Sequence, residues 1–154
     1  MIALLQRVSM AEVWIDGKRF SRIEKGLLVF LGIDKNDAQN PSIQTEIERL
    51  ADKILAYRIF ADENDQMNLN VMQTSGELLI VSQFTLVADT HKGLRPSFSK
   101  AAAPKEALPL YDYFIQYLSG QYSKVKTGVF GAKMEVGLVN DGPATFVLSS
   151  RPVV

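Results

Sequence analysis

No cysteine occurs among the 154 residues of this chain, and histidine occurs only once. Without thiols there is no disulfide framework, no thiolate nucleophile and no cysteine-ligated zinc or iron–sulfur site. The lone His91 excludes a His-rich metal site and reads as an exposed loop residue, a poor basis for a triad, so no metal and no cofactor is expected. Excess charge of either sign is also lacking, with 17 basic residues against 17 acidic ones. That balance argues against DNA as a partner, because wrapping a duplex requires many neutralised phosphates, yet it leaves room for gripping a few nucleotides at a strand end. No apolar run approaches the roughly 18 to 20 residues needed to cross a bilayer. Residues Met1 to Val8 lack a basic lead-in, and Arg7 interrupts them too early for a signal-peptide core. A soluble, cytoplasmic protein without membrane contact is therefore expected. Neither a Gly-x-Gly-x-x-Gly string nor a phosphate-binding P-loop is present, which excludes a doubly wound nucleotide fold.

What is present suffices for a sizeable core, since 47% of the residues are hydrophobic. The length predicts a single domain over residues 1–154. Residues 2 to 9 and 11 to 16 have strand composition, and Asp16-Gly17-Lys18 turns the chain into a third strand at 19 to 24. Gly26 to Ile33 is apolar without alternation, as in a central strand covered on both faces. Asn40-Pro41 then starts a helix over about 41 to 57, with Ile43, Ile47, Leu50, Ile54 and Leu55 at helical spacing. Residues 61 to 70 are turn-rich, and Leu78-Leu79-Ile80-Val81 forms a second buried strand. Thr90 to Pro104 reads as a loop long enough to suspect function. A second amphipathic helix carries Leu108, Tyr111, Phe114, Ile115 and Leu118 and closes at Gly120. Pro109 implies either a start near Leu108 or a kink. Strands at 122 to 128, 133 to 139 and 144 to 150 complete an α/β domain. Its sheets are mixed or antiparallel, in barrel-like β layers, with the two helices packed on one face.

Two strings interrupt this pattern. Ser82-Gln83-Phe84-Thr85 sits at the carboxyl end of a buried strand, where open sheets place ligand contacts. These residues either address a ligand, with Gln83 and Thr85 on one side of an alternating strand, or only end the strand while Phe84 enters the core. Thr85 as a nucleophile would need an activating base, and none lies nearby in sequence. Asn140-Asp141-Gly142-Pro143 reads either as an ordinary turn or as a cis Gly-Pro turning two successive carbonyl oxygens to one side, an acceptor pair for an ammonium group. Arg95, in Gly93-Leu94-Arg95-Pro96-Ser97-Phe98, is either solvated or a phosphate contact. Phe130 and Met134 flank a glycine-containing corner and form either core or an apolar slot for a base.

Taken together, the two strings resemble the paired signature of the D-aminoacyl-tRNA deacylases, the D-tyrosyl-tRNA deacylase family, which is marked by Ser-Gln-Phe-Thr-Leu and Asn-x-Gly-Pro-x-Thr. Met1 to Val8, Tyr57-Arg58-Ile59-Phe60, Met67-Asn68-Leu69-Asn70, Arg95-Pro96-Ser97-Phe98, Leu110 to Phe114 and the end of the chain resemble it in order and spacing. The resemblance implies a homodimer in which a cis Gly142-Pro143 of one subunit enters the pocket of the other. There its carbonyls would take the α-amino group of the amino acid on the 3′ end of tRNA. An L side chain would collide with this wall and a D side chain would not, so many D-amino acids would be accepted and glycine could not be excluded. By the same resemblance, Ser82, Gln83, Phe84 and Thr85 would surround the terminal adenosine and the ester, Phe130 and Met134 would pack on the adenine, and Arg7 would hold Gly-Pro in place. Backbone donors near Phe84 and Thr85 would polarise the ester while the ribose 2′-hydroxyl helps activate water. A Thr85 nucleophile is the competing chemistry. Ala144 departs from the family's usual valine or larger residue, which predicts looser packing behind Pro143. A non-catalytic dimeric module binding an amino-acid-like or nucleotide ligand is the alternative function.

Overall fold

The computed structural model describes residues 1–151. Strand β1, Ile2–Ile15, is the spine, and what read as two strands with a break is one. A register irregularity between Val8 and Met10 resets its alternation, so Ala11 and Val13 face the same side as Val8. Asp16 and Gly17, both at positive φ (49° and 75°), turn the chain into β2, Lys18–Ile23. Antiparallel partners of β1 are β2 along its second half and β3, Gly26–Gly32, along its first.

From β3 the chain crosses over through α1, Lys35–Ala38, and α2, Ile43–Ala56, and then a small hairpin of β4, Phe60–Ala61, and β5, Met67–Leu69. It returns as β6, Glu77–Ser82, parallel to β3. A 3-10 turn at Phe84–Val87 and a long loop lead into α3, Pro104–Gln121. After β7, Val125–Thr127, parallel to β6, the chain ends in β8, Glu135–Ser149, antiparallel to β1. Ser21 Oγ donates to the Thr127 carbonyl at 2.9 Å and Lys126 Nζ to the Arg22 carbonyl at 2.7 Å, which draws β7 towards β2 and nearly closes the sheet into a barrel.

Strands β3 and β6 lack alternation because both of their faces are buried. Leu27, Val29, Leu31, Leu78 and Ile80 face the helices, where α2 contributes Ile47, Leu50, Ile54 and Leu55 and α3 contributes Tyr111, Phe114 and Leu118. Leu28, Leu79 and Val81 face the barrel interior with Val8, Ala11, Val13 and Ile23. The expected mixed α/β architecture, with both long helices on one face, is what is found. Boundaries differ in places. The expected cap at Asn40 is displaced: its Oδ1 accepts the Ser42 N–H at 2.9 Å in a turn ahead of the helix, and Ser42 is the N-cap of a helix that begins only at Ile43. Helix α3 begins at Pro104 and continues through Pro109, which lies on the exposed face, where water can reach the Lys105 carbonyl left without a donor. The strand expected over 122 to 128 is confined to β7, and those expected over 133 to 139 and 144 to 150 are one strand, β8.

Both ends of the described chain meet at one buried carboxylate. Asp37 Oδ1 accepts from the Met1 ammonium at 2.6 Å and from Arg151 Nη2 at 2.7 Å, with Asp37 and the Met1 ammonium fully buried. Its Oδ2 accepts the Asp34 N–H at 2.8 Å, while Asp34 Oδ1 accepts the Asp37 N–H, a capping box that fixes the carboxylate.

Candidate active site

Strands β3 and β6 run parallel, and a pocket of about 540 Å³ opens beyond their carboxyl ends, the position where sheets of this kind expose ligand contacts. Its volume lies within the range of small-molecule sites. Ser82, Phe84, Phe130 and Met134 are among its lining residues. So is a strap of Phe98 and three alanines, 101 to 103, tied to Ile33 by the Ala102 N–H at 3.1 Å. Small side chains there leave a wide apolar slot. Phe130 leans on Tyr111, with ring centroids 5.5 Å apart, and Tyr111 Oη donates to the Ile80 carbonyl at 3.1 Å. Burial pushes the Tyr111 phenol up, so it stays a neutral donor. Met134 packs on the barrel-interior core and Phe130 on the helix-side core, so the pocket lies on the seam between the two.

The strand ends at Ser82, and this changes the geometry expected of an alternating segment. Gln83 donates its N–H to the Leu31 carbonyl at 2.8 Å, and the chain then winds into the 3-10 turn. Such a turn leaves its leading N–H groups without an internal acceptor, and these belong to Phe84 and Thr85. Gln83 Nε2 donates to Thr85 Oγ1, so these two side chains are together, though through the turn and not through strand alternation. Phe84 is 55% exposed and is not a core residue; it meets Phe98 edge-on at a centroid distance of 5.0 Å.

Arg7, Gly142 and Pro143 do not line this pocket. Opposite Arg7 the β8 ladder skips from Asn140 to Thr145, and the residues between them arch out. The Gly142-Pro143 peptide is cis, and Asp141, Gly142 and Pro143 are exposed. Arg7 supports the arch from behind, with Nε donating to the Asp141 carbonyl at 3.0 Å and Nη1 to the Ile59 carbonyl at 2.7 Å. A Cβ at Gly142 would stand 2.8 Å from Arg7 Nη2.

Asn140 was not singled out by sequence, yet it clasps the arch. Its Nδ2 donates to the Arg7 and Ala144 carbonyls and its Oδ1 accepts the Ala144 N–H, all at 3.0 Å. Ala144 is buried and fastened at both backbone groups, so its small side chain does not leave the segment loose. Asn140's place at the head of the second string was the available signal. Ile59, Phe98 and Tyr111 were also missed as parts of these surroundings, although all three stand within strings that carried the resemblance. Among the described residues no cluster of three metal-ligating side chains occurs, and no helix is long and apolar enough to cross a membrane.

Comparison with known proteins narrows the assignment first to a class, the aminoacyl-tRNA deacylases, which are ester hydrolases. The family model described as D-Tyr-tRNA(Tyr) deacylase matches residues 4–149, and the chain belongs to that family. Curated relatives called D-aminoacyl-tRNA deacylase include one from Haemophilus influenzae (strain PittEE), 58% identical over 97% of this chain and 99% of the relative. Another, from Actinobacillus succinogenes, is 57% identical over 97% of this chain and 100% of the relative. Among solved structures, one described as c-Myc DNA Unwinding Element Binding Protein superposes with a TM-score of 0.90 at 37% identity, covering 99% of this chain and 100% of that one. A probable eukaryotic D-amino acid tRNA deacylase, at TM-score 0.81 and 18% identity over 96% of this chain and 97% of that one, shares the fold.

Proposed function

We propose that this protein hydrolyses the ester of D-aminoacyl-tRNA, glycyl-tRNA included, and that it does so as a homodimer in the cytoplasm. The observation that carries the reading is the nucleoside-sized pocket lined by Ser82, Phe84, Phe130 and Met134, together with the 3-10 turn that starts at Phe84 and leaves its leading N–H groups free. In this reading the terminal adenosine enters the pocket, and Phe130 and Met134 pack on its base. Ser82 and Gln83 flank the ribose. The two N–H groups polarise the ester carbonyl as negative charge develops on it. The ribose 2′-hydroxyl helps activate the attacking water, and the products are the free D-amino acid and tRNA. Carbonyls at Gly142-Pro143 of the partner subunit take the α-ammonium and leave no room for an L side chain.

A homodimer accounts for an arch held rigid yet exposed and absent from its own chain's pocket. The outer edge of β8 supports it. Among the described residues β8 pairs with β1 alone, and Val139 and Val147 on it are 53% and 60% exposed. Matched D- and L-aminoacyl-tRNA provide the test: fast release from the D form and glycyl-tRNA with little from the L form is expected, whereas equal release from D and L, or none from either, overturns the reading.

Thr85 serves here through its backbone N–H, and its side-chain oxygen accepts from Gln83 without a base beside it. Thr85→Ala is therefore expected to retain single-turnover deacylation to within about tenfold, the modest range of a peripheral contact. Complete loss of turnover with tRNA binding intact would reinstate a threonine nucleophile.

A further inference from the structure

Beyond the pocket the strap continues into a loop whose composition the proposed chemistry does not use. Asp89 and Ser97 close its neck, each donating its N–H to the other's carbonyl, at 2.8 and 3.0 Å. Asp89 is the sole acidic residue between Ala88 and Lys105, and it is already occupied. Lys100 Nζ lies 2.9 Å from its Oδ2, and its Oδ1 accepts from the His91 N–H. Lys100 and then His91 hold its carboxyl well below the usual range, so it remains an anion that fastens the neck. Beyond the neck, Lys92 and Arg95 take part in no ion pair among the described residues. Between them Gly93, at φ 71°, turns the chain and presents Leu94 fully to solvent. A lone bare leucine between two uncompensated cations is too small an apolar surface for a protein interface. It fits a ligand that alternates flat apolar faces with anions.

We propose that the Lys92–Arg95 tip is an RNA contact that holds the unpaired nucleotides just upstream of the terminal adenosine. Lys92 and Arg95 take phosphates, and Leu94 packs on a base face. The proposal rests on reading the pocket as the adenosine site. Its geometry follows from where the loop is rooted: Phe98, one residue past the neck, both lines that pocket and packs on Phe84. Leu94 at the tip stands three positions before Ser97, a reach of about 10 Å at most. That distance spans about three stacked nucleotides at roughly 3.4 Å each. The tip therefore meets the single-stranded 3′ end before any paired stem. The contact is electrostatic but small, consistent with the chain's neutral net charge.

The test compares the full-length protein with its Lys92→Gln/Arg95→Gln double variant and with Leu94→Ala on two substrates, D-aminoacyl-tRNA and a D-aminoacyl ester of adenosine alone. On tRNA the double variant is expected to lose about tenfold or more in kcat/KM, mostly through KM. The slope of log affinity against log salt should shrink by about 1.4, two phosphates at roughly 0.7 each. Leu94→Ala should weaken binding by about tenfold with the salt slope unchanged. On aminoacyl-adenosine all three proteins should agree within about twofold. Equal losses on both substrates, or none on tRNA, would overturn the contact. Binding of an uncharged oligonucleotide with the tRNA 3′ sequence separates the two readings. If the parent protein binds it but cleaves neither ester, the activity reading fails, and the contact stands or falls on the same difference in binding between parent and variant.

Discussion

Replacing Gly142 by alanine is expected to lower kcat/KM for D-aminoacyl-tRNA by about 100-fold or more, while the protein remains folded. The added Cβ would lie 2.8 Å from Arg7 Nη2 and 3.1 Å from the Ala144 nitrogen, and φ at this residue is 133°, a conformation that L side chains rarely adopt. Arg7 cannot simply swing aside, since its Nε and Nη1 are engaged by the Asp141 and Ile59 carbonyls. The Ala144 nitrogen is fixed by Asn140. Strain of about 1–3 kcal/mol is small beside the stability of a whole domain, but a displacement of about an ångström at a reacting centre is not. Single-turnover deacylation and thermal unfolding, measured side by side, distinguish the two effects. A Gly142→Ala protein with activity within threefold of the parent would remove the arch from the chemistry. Arg7→Lys should behave similarly in milder form, because lysine cannot fork to two carbonyls.

Asp37→Ala should be the most damaging substitution for stability and have little direct bearing on the pocket. It would leave the Met1 ammonium, which is fully buried, and the Arg151 guanidinium without their shared partner. Removing one side of a buried pair costs about 3–5 kcal/mol. For a chain of this size that corresponds to a fall in Tm of about 6–20 °C. Denaturant unfolding measures it, and a change below about 1 kcal/mol would show that the cluster contributes nothing net. The same cluster has an acid limit. Burial acts to raise the Asp34 carboxyl, but the Asp37 N–H and Arg151 outweigh it and hold the group below its ordinary value. A depressed folded-state pKa means that this contribution is complete above the unfolded value of about 3.9 and is lost as pH falls through the folded one. Stability should therefore be flat near neutrality and decline below about pH 4.

The layered fold was legible because hydrophobic periodicity is local. The spacing from Ile47 to Leu55 declares α2, and the unbroken run in β3 declares a strand with two buried faces. Boundaries were less so. A strand that arches and resumes, as β8 does, looks in sequence like two strands and a turn, because Asp141-Gly142-Pro143 has turn chemistry whatever the chain does next. Pro109 implied a start near Leu108 or a kink, although one missing hydrogen bond on an exposed face is tolerated within a helix that begins at Pro104. In the site, Ser82 and Phe84 were placed at a strand end by pattern, but the 3-10 turn that brings Gln83 to Thr85 has no periodic signal in four residues. Asn140 and Ile59 act through a side-chain clasp and a backbone carbonyl, contacts set by tertiary neighbours far along the chain.

The Asn140 clasp has an evolutionary corollary. By supplying from one side chain bonds that the β1–β8 ladder omits, it frees the three residues at the crest of the arch from backbone pairing with the sheet that carries them and leaves Arg7 as their brace. Substitutions at the crest can then be screened by selection for discrimination alone, without unzipping the longest strand pairing in the molecule. Asn140 itself has no such freedom. A small amide at the foot of the arch thus separates what this protein is able to vary from what it must keep.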